Sequence, residues 1–209
     1  MSRLQLLIST IEFAATIAFA VSGCMEAARK RMDVVGVFAV AFITAFGGGT
    51  VRDILLDRRP FFWVEHQAYL WLVFGLSLVA VPLLQARHHR ITERAMLIPD
   101  ALGLGLFSVT GVSLAHDMGM PMFVAALMGV ITGVFGGVLR DVICNEIPYV
   151  FRDHRPYALC AFVGAWAYLL FDALAAPPVV ALFVSAALVA GLRLVAVWRG
   201  WSVPSWPAN

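Results

Sequence analysis

Residues 34–56 read VVGVFAVAFITAFGGGTVRDILL, and residues 122–144 read MFVAALMGVITGVFGGVLRDVIC. Each is as long as the roughly 20 mostly apolar residues that a membrane-crossing helix needs. Each carries glycines at its centre and an Arg-Asp pair about one turn later, Arg52-Asp53 and Arg140-Asp141. A shift of 88 residues, without gaps, lays Ile43, Thr44, Gly48, Gly49, Arg52 and Asp53 on Ile131, Thr132, Gly136, Gly137, Arg140 and Asp141. The same register extends outward. Phe19, Val21 and Gly23 meet Phe107, Val109 and Gly111, and Pro60, His66 and Tyr69 meet Pro148, His154 and Tyr157. Glu12 meets Asp100, an acid on an acid inside an apolar segment. Apolar bias aligns Leu, Val and Ala; it does not align glycine, proline, arginine and aspartate. The chain therefore contains an internal repeat.

Composition sets the solvent. Of 209 residues, 61% are apolar and 13% charged, against about 45–50% and about 25% in soluble domains. Mean hydropathy is +0.86. Too little polar surface exists to cover a water-soluble globule. A soluble enzyme, a secreted disulfide scaffold and a disordered chain are excluded. The net charge of +2, with no long basic run, gives no case for nucleic acid. Cys24, Cys144 and Cys160 have neither metal-ligand nor CxxC spacing. The GGGTVRD stretch lacks the GxxxxGK[ST] pattern of a phosphate loop. No Ser-His-Asp or Cys-His set and no metal cluster is visible, so no enzyme activity, cofactor or metal is expected.

Residues 1–209 form a single membrane domain in this reading, an all-α polytopic protein with seven transmembrane helices. The spans are Leu4–Cys24, Val34–Leu56, Ala68–Leu84, Met96–Ala115, Met122–Cys144, Tyr157–Ala175 and Val179–Trp198. The first carries Glu12 and lacks a strong basic start, so it reads as a retained helix and not a signal peptide. Residues 4–84 make a first three-helix repeat, 96–175 a second, and 179–198 a seventh helix outside both. An odd number of spans per repeat forces tandem copies into opposite orientations, the inverted-repeat plan of many transport proteins. Arg29, Lys30, Arg31, Arg87, Arg90, Arg94, Arg152, Arg155 and Arg199 fall on one side, and Arg3, Arg58 and Arg59 on the other. The positive-inside rule makes the first side cytoplasmic, with the N-terminus outside and the C-terminus inside.

Two readings of the glycines stay open. Gly47, Gly48 and Gly49, and Gly136 and Gly137, each cost about 1 kcal/mol against alanine in a helix, which favours a break or kink whose freed carbonyls line a watery path. Equally, Ala41, Ala45 and Gly49, with Gly129, Gly133 and Gly137, form small-residue stripes that let helices approach closely. On a continuous helix Thr44, Gly48 and Arg52 share a face, as do Thr132, Gly136 and Arg140, with Asp53 and Asp141 on the adjacent one. A charge at membrane depth costs about 2.5–3.5 kcal/mol and seeks a partner or water. Glu12 and Asp100 read as buried partners of the arginines or, alternatively, as acids that neutralise backbone ends or attract cations. Glu26 and Asp172 read as ordinary interface charges, Arg193 as an arginine snorkelling to the cytoplasmic face, and His88-His89 as solvated. His66 and His154 read as interfacial.

GGGTVRDILL followed by Pro60, and its echo FGGVLRDVICNEIP, resemble the prokaryotic trimeric intracellular cation (TRIC) channel family, which overlaps bacterial membrane proteins classed as glycine transporters. The resemblance spans Leu4 to Trp198. It implies seven spans as two inverted repeats plus one helix, a homotrimer in the bacterial inner membrane, and a pore in each protomer shaped by kinked second and fifth helices. It implies permeation of K⁺ and Na⁺. Gly47, Gly48 and Gly49 match the second-helix kink, and Gly136 and Gly137 the fifth. Arg140-Asp141-Val142 stands where animal members have Lys-Glu-Val, a site associated there with phosphoinositide lipid; the lipid is not carried over. The leading expectation is a passive cation channel in which Arg52 and Arg140, neutralised by Asp53, Asp141, Glu12 or Asp100, leave carbonyls to dominate or form a gate. The alternative is a carrier for a small zwitterion such as glycine, greeted by an Arg-Asp pair. A non-transporting assembly scaffold is the third reading.

Overall fold

The computed structural model describes residues 3–86, 93–152 and 156–203, and all regular structure among them is helical. The elements are α1 (Arg3–Arg29), α2 (Val34–Leu55), the one-turn α3 (Phe62–Glu65), α4 (Gln67–Ala86), α5 (Glu93–Asp117), α6 (Met122–Ile143), the one-turn α7 (Tyr149–Arg152), α8 (Ala158–Ala173) and α9 (Pro178–Arg199). Six of them, α1, α2, α4, α5, α6 and α9, are long and apolar enough to cross a membrane. The apolar α8 has 16 residues, short of that length. Each expected span coincides with one of these helices, while α3 and α7 were not foreseen. Arg87, Arg90 and Arg155, with His88, His89 and His154, lie outside the described residues.

Helix ends follow local chemistry. Asp33 caps α2 by accepting the Gly36 N–H at 2.8 Å. An aspartate there satisfies one of the orphan amides of the first turn. Asp33→Ala is expected to cost about 1 kcal/mol, read as a lower thermal midpoint of the purified protein; an unchanged midpoint removes the cap from the account. Pro178 opens α9 with its φ already helical. Gly200, at φ +66°, closes it, and Trp201 N–H then reaches back to Ala196 O at 2.8 Å.

Helix α5 is the centre of the bundle, with 72% of its span buried, against 17% for the peripheral α4. It packs on α6, α1, α9 and α8, while α2 packs on α1, α6 and α4. Lipid tails are as apolar as leucine, so burial of apolar surface does not by itself hold such helices together; close packing does. Small residues make the contacts. A methyl on Gly105 of α5 would lie 2.5 Å from Ala186 O of α9, and one on Gly129 of α6 would lie 2.8 Å from Ser108 O of α5.

The repeat is visible in the packing. A methyl on Gly23 would lie 2.8 Å from Thr44 Oγ1 and 3.0 Å from Val40 O, and a methyl on Gly111 would strike their 88-residue counterparts, Thr132 Oγ1 and Met128 O. Phe19 and Phe107 are themselves counterparts, and their rings meet at 5.5 Å.

Candidate functional site

Arg52 is fully buried in the last turn of α2, where water cannot solvate a guanidinium. The chain surrounds it with acids. Its Nη1 donates to Glu12 Oε1 on α1 at 3.1 Å, and its Nε donates to Asp53 Oδ1 at 2.9 Å. Its Nη2 lies 2.9 Å from the same Asp53 oxygen, off the hydrogen-bond axis. The second Asp53 oxygen accepts the backbone N–H of Phe62 at 2.9 Å, at the start of α3. The Phe62 ring sits 5.3 Å from the Arg52 guanidinium carbon. One aspartate thus orients the arginine and anchors the following one-turn helix. From the loop, Arg58 Nη1 approaches Asp53 Oδ1 at 3.8 Å.

The second repeat builds the same thing. Arg140, 2% exposed in the last turn of α6, donates through Nη1 to Asp100 Oδ1 on α5 at 2.8 Å, and through Nε to Asp141 Oδ1 at 2.9 Å. Asp141 Oδ2 accepts the backbone N–H of Tyr149 at 3.0 Å, at the start of α7. This cluster also reaches across the repeats: Arg140 Nη1 donates to Ser22 Oγ of α1 at 2.6 Å. A small cleft, with room for about one water, opens beside this cluster and is lined by Gly137, Arg140, Asp141, Tyr149 and Tyr157 among others.

Between the two clusters α2 crosses α6 at the glycines. A methyl on Gly48 would strike the Thr132 carbonyl oxygen, and a methyl on Gly136 would strike the Thr44 carbonyl oxygen. The contacts are reciprocal under the 88-residue shift. Their order, 44 against 136 and 48 against 132, means that the two helices cross with opposed chain directions. Both helices run unbroken through Gly47–Gly49 and Gly136–Gly137, so the helix break expected there is absent. At the crossing the glycines allow close approach, and the gain in contact offsets their poor helix propensity. Thr44 and Thr132, both fully buried, donate their hydroxyls to Val40 O and Met128 O, each at 2.6 Å, within their own helices.

Other expectations fare differently. Glu26 is 1% exposed and held by Arg29 at 2.7 Å. Asp172 is half exposed and meets His116 Nε2 at 3.1 Å. Arg193 does not snorkel. It is 4% exposed, with its guanidinium carbon 4.7 Å from the Tyr157 ring centroid. Ser22, Phe62, Tyr149 and Tyr157 were missed, although Tyr157 was the matched partner of Tyr69 in the repeat. Among the described residues no group of His, Cys, Asp and Glu is placed to hold a metal.

Comparison with known proteins follows the same repeat. A family model described as glycine transporter matches residues 9–85 and again 97–173, so one model fits twice with starts 88 residues apart. A UPF0126 membrane protein of Vibrio cholerae is 39% identical over 158 residues, 76% of this chain and 65% of that protein's length. The UPF0126 inner membrane protein YadS of Escherichia coli is 36% identical over 171 residues, covering 80% of this chain and 82% of YadS. Among solved structures, the TRIC trimeric intracellular cation channel orthologue from Rhodobacter sphaeroides matches with a TM-score of 0.85 at 36% identity, over 92% of this chain and 98% of that one. A prokaryotic TRIC channel studied in 0.5 M KCl matches with a TM-score of 0.87 at 29% identity, over 95% of this chain and 100% of that one.

Proposed function

This chain belongs to the membrane-protein family that the glycine-transporter model describes, and from that membership and its fold we propose that it is a passive channel for monovalent cations. The observation that carries the reading is the likeness of nearly the whole backbone to solved TRIC cation channels at about a third sequence identity. The charge geometry agrees with it. A lone buried arginine repels cations, but Arg52 and Arg140 each lie between two carboxylates, so neither stands as a bare positive barrier. The path runs past Thr44, Gly48 and Arg52 and past Thr132, Gly136 and Arg140. The α2–α6 crossing leaves no room for a methyl group, so conduction requires these helices to part. Three copies assemble in the bacterial inner membrane, each with its own path, the repeats inverted across the bilayer, the N-terminus outside and the C-terminus in the cytoplasm.

Planar-bilayer recording of the purified protein tests the reading. Unitary currents are expected in K⁺ and Na⁺ gradients, with reversal potentials following the cation gradient. Saturable glycine counterflow in proteoliposomes, with no unitary current, overturns it in favour of a carrier. That alternative suits the family description but not the solved relatives, which are described as cation channels. Chemical cross-linking in membranes is expected to stop at three copies.

A further inference from the structure

We propose that Arg193, on the helix outside the repeat, sets the charge of the inner half of the cation path, acting across the ring of Tyr157; the inference rests on the channel reading above. The two repeats are not alike in how they treat their acids. Each contributes one arginine and two carboxylates: Arg52 with Glu12 and Asp53, and Arg140 with Asp100 and Asp141. The first cluster meets a second arginine, Arg58, at 3.8 Å from Asp53. The 88-residue counterpart of Arg58 is Glu146, and it pairs with Lys30 of the first repeat. The loop after α6 therefore brings an acid where the loop after α2 brings a cation.

On the side of the second cluster the further cation is Arg193, on α9. Its side chain is buried, and among the described residues its Nε and Nη1 have no hydrogen-bond partner. No ion pair joins it to a described carboxylate; its neighbour is the face of Tyr157, 4.7 Å away. Tyr157 is the other side of the same wall. It lines the cleft with Arg140 and Asp141. Its hydroxyl lies 3.1 Å from the point where Gly137 would carry a Cβ, a point 3.7 Å from both Arg140 Nη2 and Asp100 Oδ1. One aromatic ring thus separates Arg193 from the Arg140 cluster. Packing alone does not call for a guanidinium here, because a buried charge with no ion-pair partner is costly even over an aromatic face, and an apolar chain of equal length fills the space. A cation held in low dielectric behind the ring raises the potential that a permeating cation meets in the cleft.

The test uses the full-length protein in planar bilayers, comparing wild type with Arg193→Met and Arg193→Lys. Arg193→Met is expected to raise unitary K⁺ conductance about threefold at low salt and to make the current–voltage curve asymmetric. Arg193→Lys is expected to restore wild-type currents. Arg193→Met with wild-type conductance and rectification at low salt overturns the inference and leaves the channel reading standing. An Arg193→Met chain that fails to fold while Arg193→Lys folds also overturns it, by assigning Arg193 to structure. If wild type passes no cation current, the channel reading falls first and this inference with it.

Discussion

Alanine at Gly48 or at Gly136 is expected to destabilise the protein by about 1–3 kcal/mol or more, the usual cost of forcing extra atoms into a filled core. The reason is the identity of the atoms in the way. Each methyl would strike a backbone carbonyl oxygen, Thr132 O for Gly48 and Thr44 O for Gly136, and a helix backbone cannot rotate aside as a side chain can. Helices α2 and α6 must then separate along their crossing. A chain of this size loses about 2–4 °C of thermal midpoint per kcal/mol, so the effect is visible in unfolding scans of the purified protein. Gly75→Ala and Gly191→Ala are the controls. Nothing lies within 4 Å of a methyl at either position, and alanine is the better helix former by about 1 kcal/mol, so these variants are expected to match or exceed wild type. The double variant Gly48→Ala/Gly136→Ala is expected to cost less than the two singles together, because both methyls open one crossing and neighbouring sites are not additive. Equal losses at all four positions would show that propensity, not approach, governs these glycines.

The glycines also mark the limit of what the residues alone convey. Solvent, spans and repeat were readable because they rest on composition and on matches that apolar bias cannot produce. The arginine partners were readable for a physical reason too: a charge with no water must find an opposite one, and Glu12 and Asp100 were the matched acids inside apolar segments. The structure places both at the arginines, and both pairs are separated by 40 residues. Helix continuity was not readable. Propensity counts against three successive glycines, and only the facing carbonyls at Thr132 and Thr44 reveal what is gained in return. The one-turn helices α3 and α7 are too short for any periodicity, and their starts depend on an aspartate eight or nine residues earlier. Arg193 looked like an arginine near a span end. What decides its fate is which face of α9 turns toward Tyr157, and that is set by packing between helices far apart in the chain.

Removing Arg52 is expected to cost more than any other single truncation, about 3–5 kcal/mol, as is usual when one partner of a buried ion pair is lost. Arg52→Met fills the same space but leaves Glu12 without its ion-pair partner and Asp53 with only the Phe62 N–H and the distant Arg58. Glu12→Gln is milder, because Arg52 keeps Asp53 at 2.9 Å. The double variant Arg52→Met/Glu12→Gln is expected to recover much of the loss, since replacing a buried pair by neutral groups of similar volume is often close to neutral. Arg140→Met, Asp100→Asn and their combination are expected to repeat the pattern. The cross pair Arg52→Met/Asp100→Asn is expected to show no rescue, because it removes one charge from each cluster. Unfolding of the purified variants in a denaturant series measures all of these. If the within-cluster doubles are simply the sum of their singles, the arginines are held by something other than their acids. In that case the carboxylates do not offset the two buried arginines that a cation must pass, and the channel reading loses its electrostatic support.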